Sequence, residues 1–512
     1  MKNRTYRINE IKLSLDENIE VIPKKIKKKI GKNFDIGSWK IVKESIDARD
    51  KKDIKLIYTI DFMCSENLNL KEVEENNFCY KEKMITRNPQ DVERPIIIGF
   101  GPAGMFAALA LAEMGLKPII LERGKKVEER QKDVRFFSEK SILNTESNIQ
   151  FGEGGAGTFS DGKLTTGIND YRIRTVLREL HFAGAKEEIL YKQKPHIGTD
   201  VLIKIVKNIR KKITSLGGEI RFNSKAIEIV SLNDDLKRVV YLCEGNEEEI
   251  DARSVVVATG QSAIDSYEML DRLGIKMGQK PFSIGFRIVH SQELIDKSQY
   301  GDKELATRLG AASYKLSHKA KNGRGVYTFC MCPGGEVVLA SSNRGEIVTN
   351  GMSNSKRNSP YANSAILVDV KTDDFESDHH FAGIEFRKSW EKRAFELSNK
   401  EYMPIRTTWK DFRNDQNNVM RKALPQFAVE AILEALPNFG NKIKGFDDEG
   451  TQLIGIETRS SSPIKIFRDK ELQANIKGVY PSGEGAGAAG GIMSAAVDGL
   501  KIAEKIRESF ID

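Results

Sequence analysis

The residues of this 512-residue chain with the most legible chemistry are glycines. The spacing Gly-x-Gly-x-x-Gly occurs at residues 99–104, 152–157 and 485–490. Residues without a side chain let main-chain N–H groups close around a phosphate. The first copy alone has the context this task demands. The apolar run Pro95-Ile96-Ile97-Ile98 delivers the chain to Gly99, where a tight turn wants no Cβ. Gly101 admits a pyrophosphate to the backbone, Pro102 and Ala103 open a helix, and Gly104 lets that helix lie close to the strand. A second apolar run, Lys117-Pro118-Ile119-Ile120-Leu121, ends at Glu122, about 20 residues on, in position to accept from ribose hydroxyls, with Arg123 beside it. The chemistry predicted is dinucleotide binding.

The third copy narrows the choice of dinucleotide. Gly483-Glu484-Gly485 follows a short strand and leads through Gly490, Gly491 and Ile492 into a helix over 491–507. No ribose acid follows, so this is not a second complete dinucleotide unit. It suits an element covering the far half of an extended FAD, with Glu484 on the ribityl chain. The 490–492 turn then aims a helix N-terminus at the flavin's N1–C2=O edge, worth roughly 1–2 kcal/mol to the anionic reduced ring. The run 255–258 with Gly260 passes the adenine half again.

Other chemistry-bearing residues are scattered. Cys330 and Cys332 stand two apart in an expected strand, which places both thiols on one face with Cα atoms about 6.6 Å apart. Core packing, a substrate-side thiol and a redox disulfide all remain open for them, and Cys332 is the catalytic candidate. His379-His380 lies among acids without regular metal-ligand spacing, so no metal is assigned. Arg344 and Arg357, in a polar loop with Asn350, Ser353 and Lys356, are candidates for an anionic substrate. No nucleophile-elbow Ser or Walker lysine follows a suitable strand, which leaves hydrolase and ATPase readings unsupported.

The elements that must position these residues fall into four blocks. Residues 1–90 form a small N-terminal α+β module, with strands at 4–15, 38–48 and 53–64, a hairpin turn at Asp50-Lys51-Lys52, and a Lys-rich helix carrying Ile22, Ile26 and Ile30. Its linker is Asn88-Pro89-Gln90-Asp91. Residues 94–262 form a dinucleotide-binding domain, including strands at 225–230 and 238–242. Residues 263–455 form an inserted domain, with strands at 282–289 and 326–331 and helices at 384–397 and 427–436. Residues 456–512 return to the first domain. The uncharged stretch 96–112 reads as a buried strand turning into a buried helix, since a gapless run of about 20 apolar residues is needed to cross a bilayer.

These segments resemble the uncharacterised FAD-dependent dehydrogenase family, with a glutathione-reductase-type flavoprotein fold. The carriers are PIIIGFGPAGMFAALALAEMG with LERG, FGEGGAGTFSDGKLTT, VVVATGQSA, TFCMCPGGEVVLASS, IVTNGMSNSKRN and VYPSGEGAGAAGGIMSAAVDGLKIAE. The resemblance implies an α/β fold: a Rossmann-like FAD-binding domain of ββα three-layer type, built from discontinuous segments, with an inserted mixed α+β domain. It implies FAD contacts from Gly157, Thr158, Ser160, Gly162 and Lys163, and from Ala226 on the 225–230 strand. Lys163 is also the second catalytic candidate, as a cation near the flavin ring.

Composition sets the outer limits. Hydrophobic residues make up 39% and charged residues 30%, enough apolar material for sizeable cores. The net charge of +8 is too weak to argue for nucleic acid by itself. Five scattered cysteines (Cys64, Cys79, Cys243, Cys330, Cys332) suit a reducing compartment, and with no signal-type N-terminus the expected place is the cytoplasm. The expected activity is hydride exchange between flavin and a small molecule, with NAD(P)H as a transient donor and no membrane partner. The alternatives are a flavoprotein acting on RNA through Lys24, Lys25, Lys27, Lys28 and Lys29, and a scaffold that keeps FAD without turnover.

Overall fold

The computed structural model describes residues 4–73, 80, 84–85 and 89–510. Cys79 and the linker residue Asn88 lie outside them. The centre is a five-stranded parallel sheet of very short strands, ordered Val479–Pro481, Val255–Val257, Ile96–Ile98, Ile119–Leu121 and Glu219–Arg221. The first four are buried on both faces, which is why they read as plain apolar runs. The helix Pro102–Glu113 is buried from Ala103 onward, and packs between this sheet and the helices Ile492–Glu508 and Thr199–Ser215. Its Ala- and Leu-rich sequence, apolar all round, is what a helix enclosed on every side requires.

A three-stranded antiparallel sheet, Ser224–Ser231, Lys237–Cys243 and Asn246–Ala252, forms a second sheet layer, completing the ββα arrangement. Its third strand was not anticipated: Glu247, Glu248 and Glu249 are all exposed and hide it from a hydropathy reading. The helix Ile264–Arg272, placed by sequence in the insert, contributes Tyr267, Met269 and Leu270 to the same core as Ile96, Ile98 and Val255.

The insert is built on a six-stranded antiparallel sheet ordered Ser317–Lys319, Gly325–Cys332, Tyr361–Val370, Phe282–Ser291, Gln452–Glu457 and Ile405–Thr408. It therefore runs to Glu457, just past the expected boundary at 455. The helices Ala382–Leu397 and Gln426–Lys442 contribute to its core, the second running past Leu436 with Pro437 inside it. A ribbon of Gly335–Leu339 and Thr349–Ser353 leaves the sheet towards the parallel domain. The N-terminal strands Arg4–Ser14, Trp39–Asp47 and Lys55–Cys64 pair with the last in the centre, and the helix Ile22–Ile30 covers them. Among the described residues, no helix is long and apolar enough to cross a membrane.

Candidate FAD site

The Gly99 turn and the N-terminus of the Pro102–Glu113 helix form one wall of a cleft of about 520 Å³, within the usual range for small-molecule and cofactor sites. The first-turn N–H groups of that helix have no carbonyl one turn earlier to bond, so they are free for an anion. Gly101 has ordinary backbone angles (φ −77°), and a Cβ built on it would come no closer than 3.7 Å to Gly155. What its missing side chain keeps open is the cleft. Gly104 differs: a Cβ there would stand 2.0 Å from the Gly99 carbonyl oxygen, so helix and turn touch through it.

Glu122 closes the far side of this wall. Its Oε2 accepts from Phe100 N–H at 2.8 Å, while Oε1 accepts from Gly124 N–H at 2.9 Å and Gly152 N–H at 3.0 Å. A carboxylate offers about four lone-pair sites, so one remains for a ribose hydroxyl. Arg123 and Ala226 line the same end. The Arg123 guanidinium is held by Asp265 at 2.8 Å and 2.9 Å and by Glu146 at 2.7 Å, and lies 4.3 Å above the Phe151 ring.

The second glycine cluster packs against the first turn. Gly154 N–H donates to the Phe100 carbonyl at 2.8 Å, and a Cβ on Gly155 would stand 2.9 Å from Gly101 Cα. Gly157, Ser160, Gly162 and Lys163 line the cleft beyond it. Lys163 Nζ donates to the Met331 carbonyl and lies 3.6 Å from Asp161. Burial opposes its charge, but Cys330, Cys332 and Asp161 outweigh that and raise its pKa.

The far end is closed by Gly260, Glu484 and the Gly490, Gly491 and Ile492 turn, whose Gly491 caps the last helix. Glu484 accepts from Gln261 Nε2 at 2.7 Å, and burial pushes its carboxyl up to about 7. The insert supplies the opposing wall with Phe329, Cys330, Asn350, Glu457 and Arg459. Behind it, Arg287 donates to both Glu457 oxygens, to Asn350 and to Asn363.

Four expectations need correcting. Thr158 does not line the cleft: in the short turn Ala156–Phe159 its hydroxyl points back to the Glu153 carbonyl. Gly483 also lies off the cleft surface and serves close packing, a Cβ there falling 2.8 Å from Ala103 Cβ, whereas Gly104, likewise off the surface, has the close-packing role its spacing predicts. Cys332 is fully buried, and the thiol that reaches the cleft is Cys330, because the strand bulges between Phe329 and Cys332. Arg357 is occupied by Asp161, and Arg344 is exposed away from the cleft lining. Sequence reasoning missed Gln261, Glu457 and Arg459 and placed Asn350 only in the polar loop around Arg344 and Arg357; the four share no local motif and converge only in the folded chain.

The residues present fit FAD. The cleft runs from a ribose-type acid, past a helix N-terminus, to a second helix N-terminus at Gly491, with a glycine where each phosphate-bearing turn must be approached.

Residues 93–306 match the pyridine nucleotide-disulphide oxidoreductase family, residues 281–460 match the family described as FAD-dependent protein, C-terminal domain-like, and residues 5–63 match a domain of unknown function. An uncharacterised protein of Clostridium beijerinckii is 44% identical, covering 98% of this chain and 99% of its own length. Among solved structures, the flavin-dependent halogenase CmlS superposes with a TM-score of 0.39 at 12% identity, covering 81% of this chain and 58% of its own. A flavoprotein/dehydrogenase from Cytophaga hutchinsonii gives 0.35 at 12%, covering 81% and 77%.

Proposed function

This chain belongs to the FAD-dependent protein family, and on that premise we propose that it is an oxidoreductase exchanging a hydride between flavin and a small molecule held in the cleft between the parallel domain and the insert. The observation that carries the reading is the composition of the cleft's two walls: glycine turns and helix N-termini on one side, and a polar, partly buried set from the insert on the other. FAD, when bound, supplies two-electron chemistry in both directions.

The chain's own residues do the rest. The first-turn N–H groups after Gly101 hold phosphate oxygens, and Glu122 holds a ribose hydroxyl. The Gly491 helix end and the Lys163 ammonium set a positive field at the far end. Glu484 holds a proton below about pH 7 and releases it above. Asn350 and Glu457 are fixed by Arg287, so they orient a substrate without rearranging. NAD(P)H acts as a transient donor in this reading, and the cytoplasm is its setting. Lys25 and Lys29 turn back onto Glu17 and the module's own carbonyls, which supports a small-molecule partner over a phosphate backbone.

Anaerobic titration of the yellow protein tests this. Bleaching of the flavin band by NADH or NADPH, followed by reoxidation with one class of small metabolite, is the expected result. A flavin that dithionite reduces but no nicotinamide or metabolite reduces or reoxidises would overturn it.

A further inference from the structure

The insert brings one aromatic ring to the cleft, and that ring is uncovered. Phe329 is 40% exposed, while Thr328 and Met331 on either side of the bulge are buried. Tyr327, two residues back on the same face of the strand, meets the ring only edge-on at 6.3 Å. The exposed part is apolar surface that a molecule bound in the cleft would cover.

Beside the ring the walls offer hydrogen-bond donors. Lys163 Nζ donates to the Met331 carbonyl, two residues along from Phe329, and an ammonium carries three N–H groups. Arg287 Nη1 donates to the Cys330 carbonyl at 2.9 Å, and its Nη2 to Asn350 Oδ1 at 3.1 Å. Ammonium and amide are thus both tied to the same strand end. Asn350 Oδ1 also accepts from Gly351 N–H at 2.8 Å, which leaves its Nδ2 to donate into the cleft it lines.

The charges at this end do not balance. Lys163, Arg357 and Arg287 face two carboxylates. Arg357 donates to both oxygens of Asp161, and Arg287 to both oxygens of Glu457. Lys163 is left 3.6 Å from an acid already taken. The neighbouring charges are matched, Arg387 and Arg459 by Glu391 and Glu346, and Lys280 by Glu484. One unanswered positive charge beside apolar surface fits a monoanion, and a planar carboxylate has acceptors for both donors.

We propose that the small molecule of this cleft is an apolar-bodied monocarboxylic acid, its carboxylate received by Lys163 and Asn350 and its body lying on Phe329. The proposal rests on the reading of the cleft as a substrate site and names the class that the site takes.

The test uses the FAD-loaded, oxidised protein and three probes: benzoate, benzamide (the same body without the charge) and acetate (the same charge without the body). Equilibrium dialysis gives the affinities, and a shift of the flavin band places the bound probe beside the ring. Benzoate should shift the band and bind about tenfold or more tighter than either of the others. Phe329→Ala should bring benzoate down towards acetate, and Lys163→Met should bring the benzoate-to-benzamide ratio to about one. If Lys163→Met purifies colourless, Asn350→Ala is read instead, and the ratio should fall about threefold or more. Cys330→Ser removes the other ionisable side chain at this strand end and should leave the ratio standing. Benzamide or acetate binding as tightly as benzoate, benzoate binding that leaves the flavin band unmoved, a ratio that survives the Lys163 or Asn350 variant, or one that vanishes in Cys330→Ser would each overturn the proposal. No electron moves in these measurements. A protein that binds benzoate in this way but exchanges no hydride would lose the proposed function and keep this site; one that turns over only neutral metabolites would do the reverse.

Discussion

Two glycines only three residues apart answer to different physics, and substitution separates them. Gly101→Val puts a side chain into open cleft with no backbone penalty, so the protein should fold normally and purify colourless. Gly104→Ala drives a Cβ into the Gly99 carbonyl, so it should lose stability, by about 1–3 kcal/mol or more. Absorbance at the flavin band and thermal unfolding, measured on both, check the contrast; a yellow Gly101→Val protein would remove the turn from the cofactor site. Glu122→Ala strips three buried N–H groups of their acceptor, each worth roughly 1–3 kcal/mol. Both stability and flavin retention should fall, with Glu122→Gln intermediate because it keeps one acceptor oxygen. Titration of apoprotein with FAD, followed by fluorescence, measures that order.

The strand Phe282–Ser291 ends in a built-in acid sensitivity. His290 is 5% exposed, its Nε2 lies 2.8 Å from the Phe446 carbonyl oxygen, and its buried Nδ1 has no hydrogen-bond partner. Nε2–H therefore donates and Nδ1 stays bare, because burial pushes the imidazole down to about 4. The unfolded chain binds a proton here near pH 6.5 while the folded chain does not, so this site's stability contribution is whole above pH 6.5 and falls as pH drops towards 4. The loss is about 3 kcal/mol, from 1.36 kcal/mol per pKa unit. Denaturant unfolding at pH 7 and pH 4.5 should show that loss in the wild type and a smaller one in His290→Gln. Elements of this kind were legible from sequence wherever burial was uniform or strictly alternating: four of the five parallel strands, the enclosed helix and the N-terminal hairpin stand where hydropathy places them, while the half-buried Glu219–Arg221 strand does not announce itself. What escaped depends on contacts made far along the chain. A bulge decided which cysteine meets the cleft, a single short turn withdrew Thr158, and the exposed acids of Asn246–Ala252 disguised a strand. The glycine turns were legible because their chemistry is local; the polar wall of the insert was not, because its members meet only after a six-stranded sheet has formed.

At the scale of the molecule, the N-terminal module ties the two large lobes together. Glu44 exchanges backbone hydrogen bonds with Tyr191 and Gln193 of the parallel lobe, both at 2.8 Å. On the insert side, Lys51 Nζ donates to the Ser298 carbonyl at 2.7 Å and Arg308 Nη1 meets Asp16 at 3.1 Å. Ile54 goes further and joins the insert's own core. Ile54→Ala should therefore cost about 2–5 kcal/mol, measured in urea, and loosen the insert more than the module. Hydrogen exchange resolved by peptide would find the added exposure around Phe282–Ser291 and Tyr361–Val370; a change confined to residues 4–64 would refute the tie.

The parallel sheet takes its outermost strand, Val479–Pro481, from far beyond the rest, and the Pro102–Glu113 helix rests against Ile492–Glu508. On the ribosome, the Val255–Val257 strand must wait with a bare edge while more than two hundred further residues are made. Cofactor capture is thus deferred until Val479–Pro481 and the helix after it have been made, and a nascent chain stalled before Val479 has a nucleotide-binding turn with nothing to shut over it.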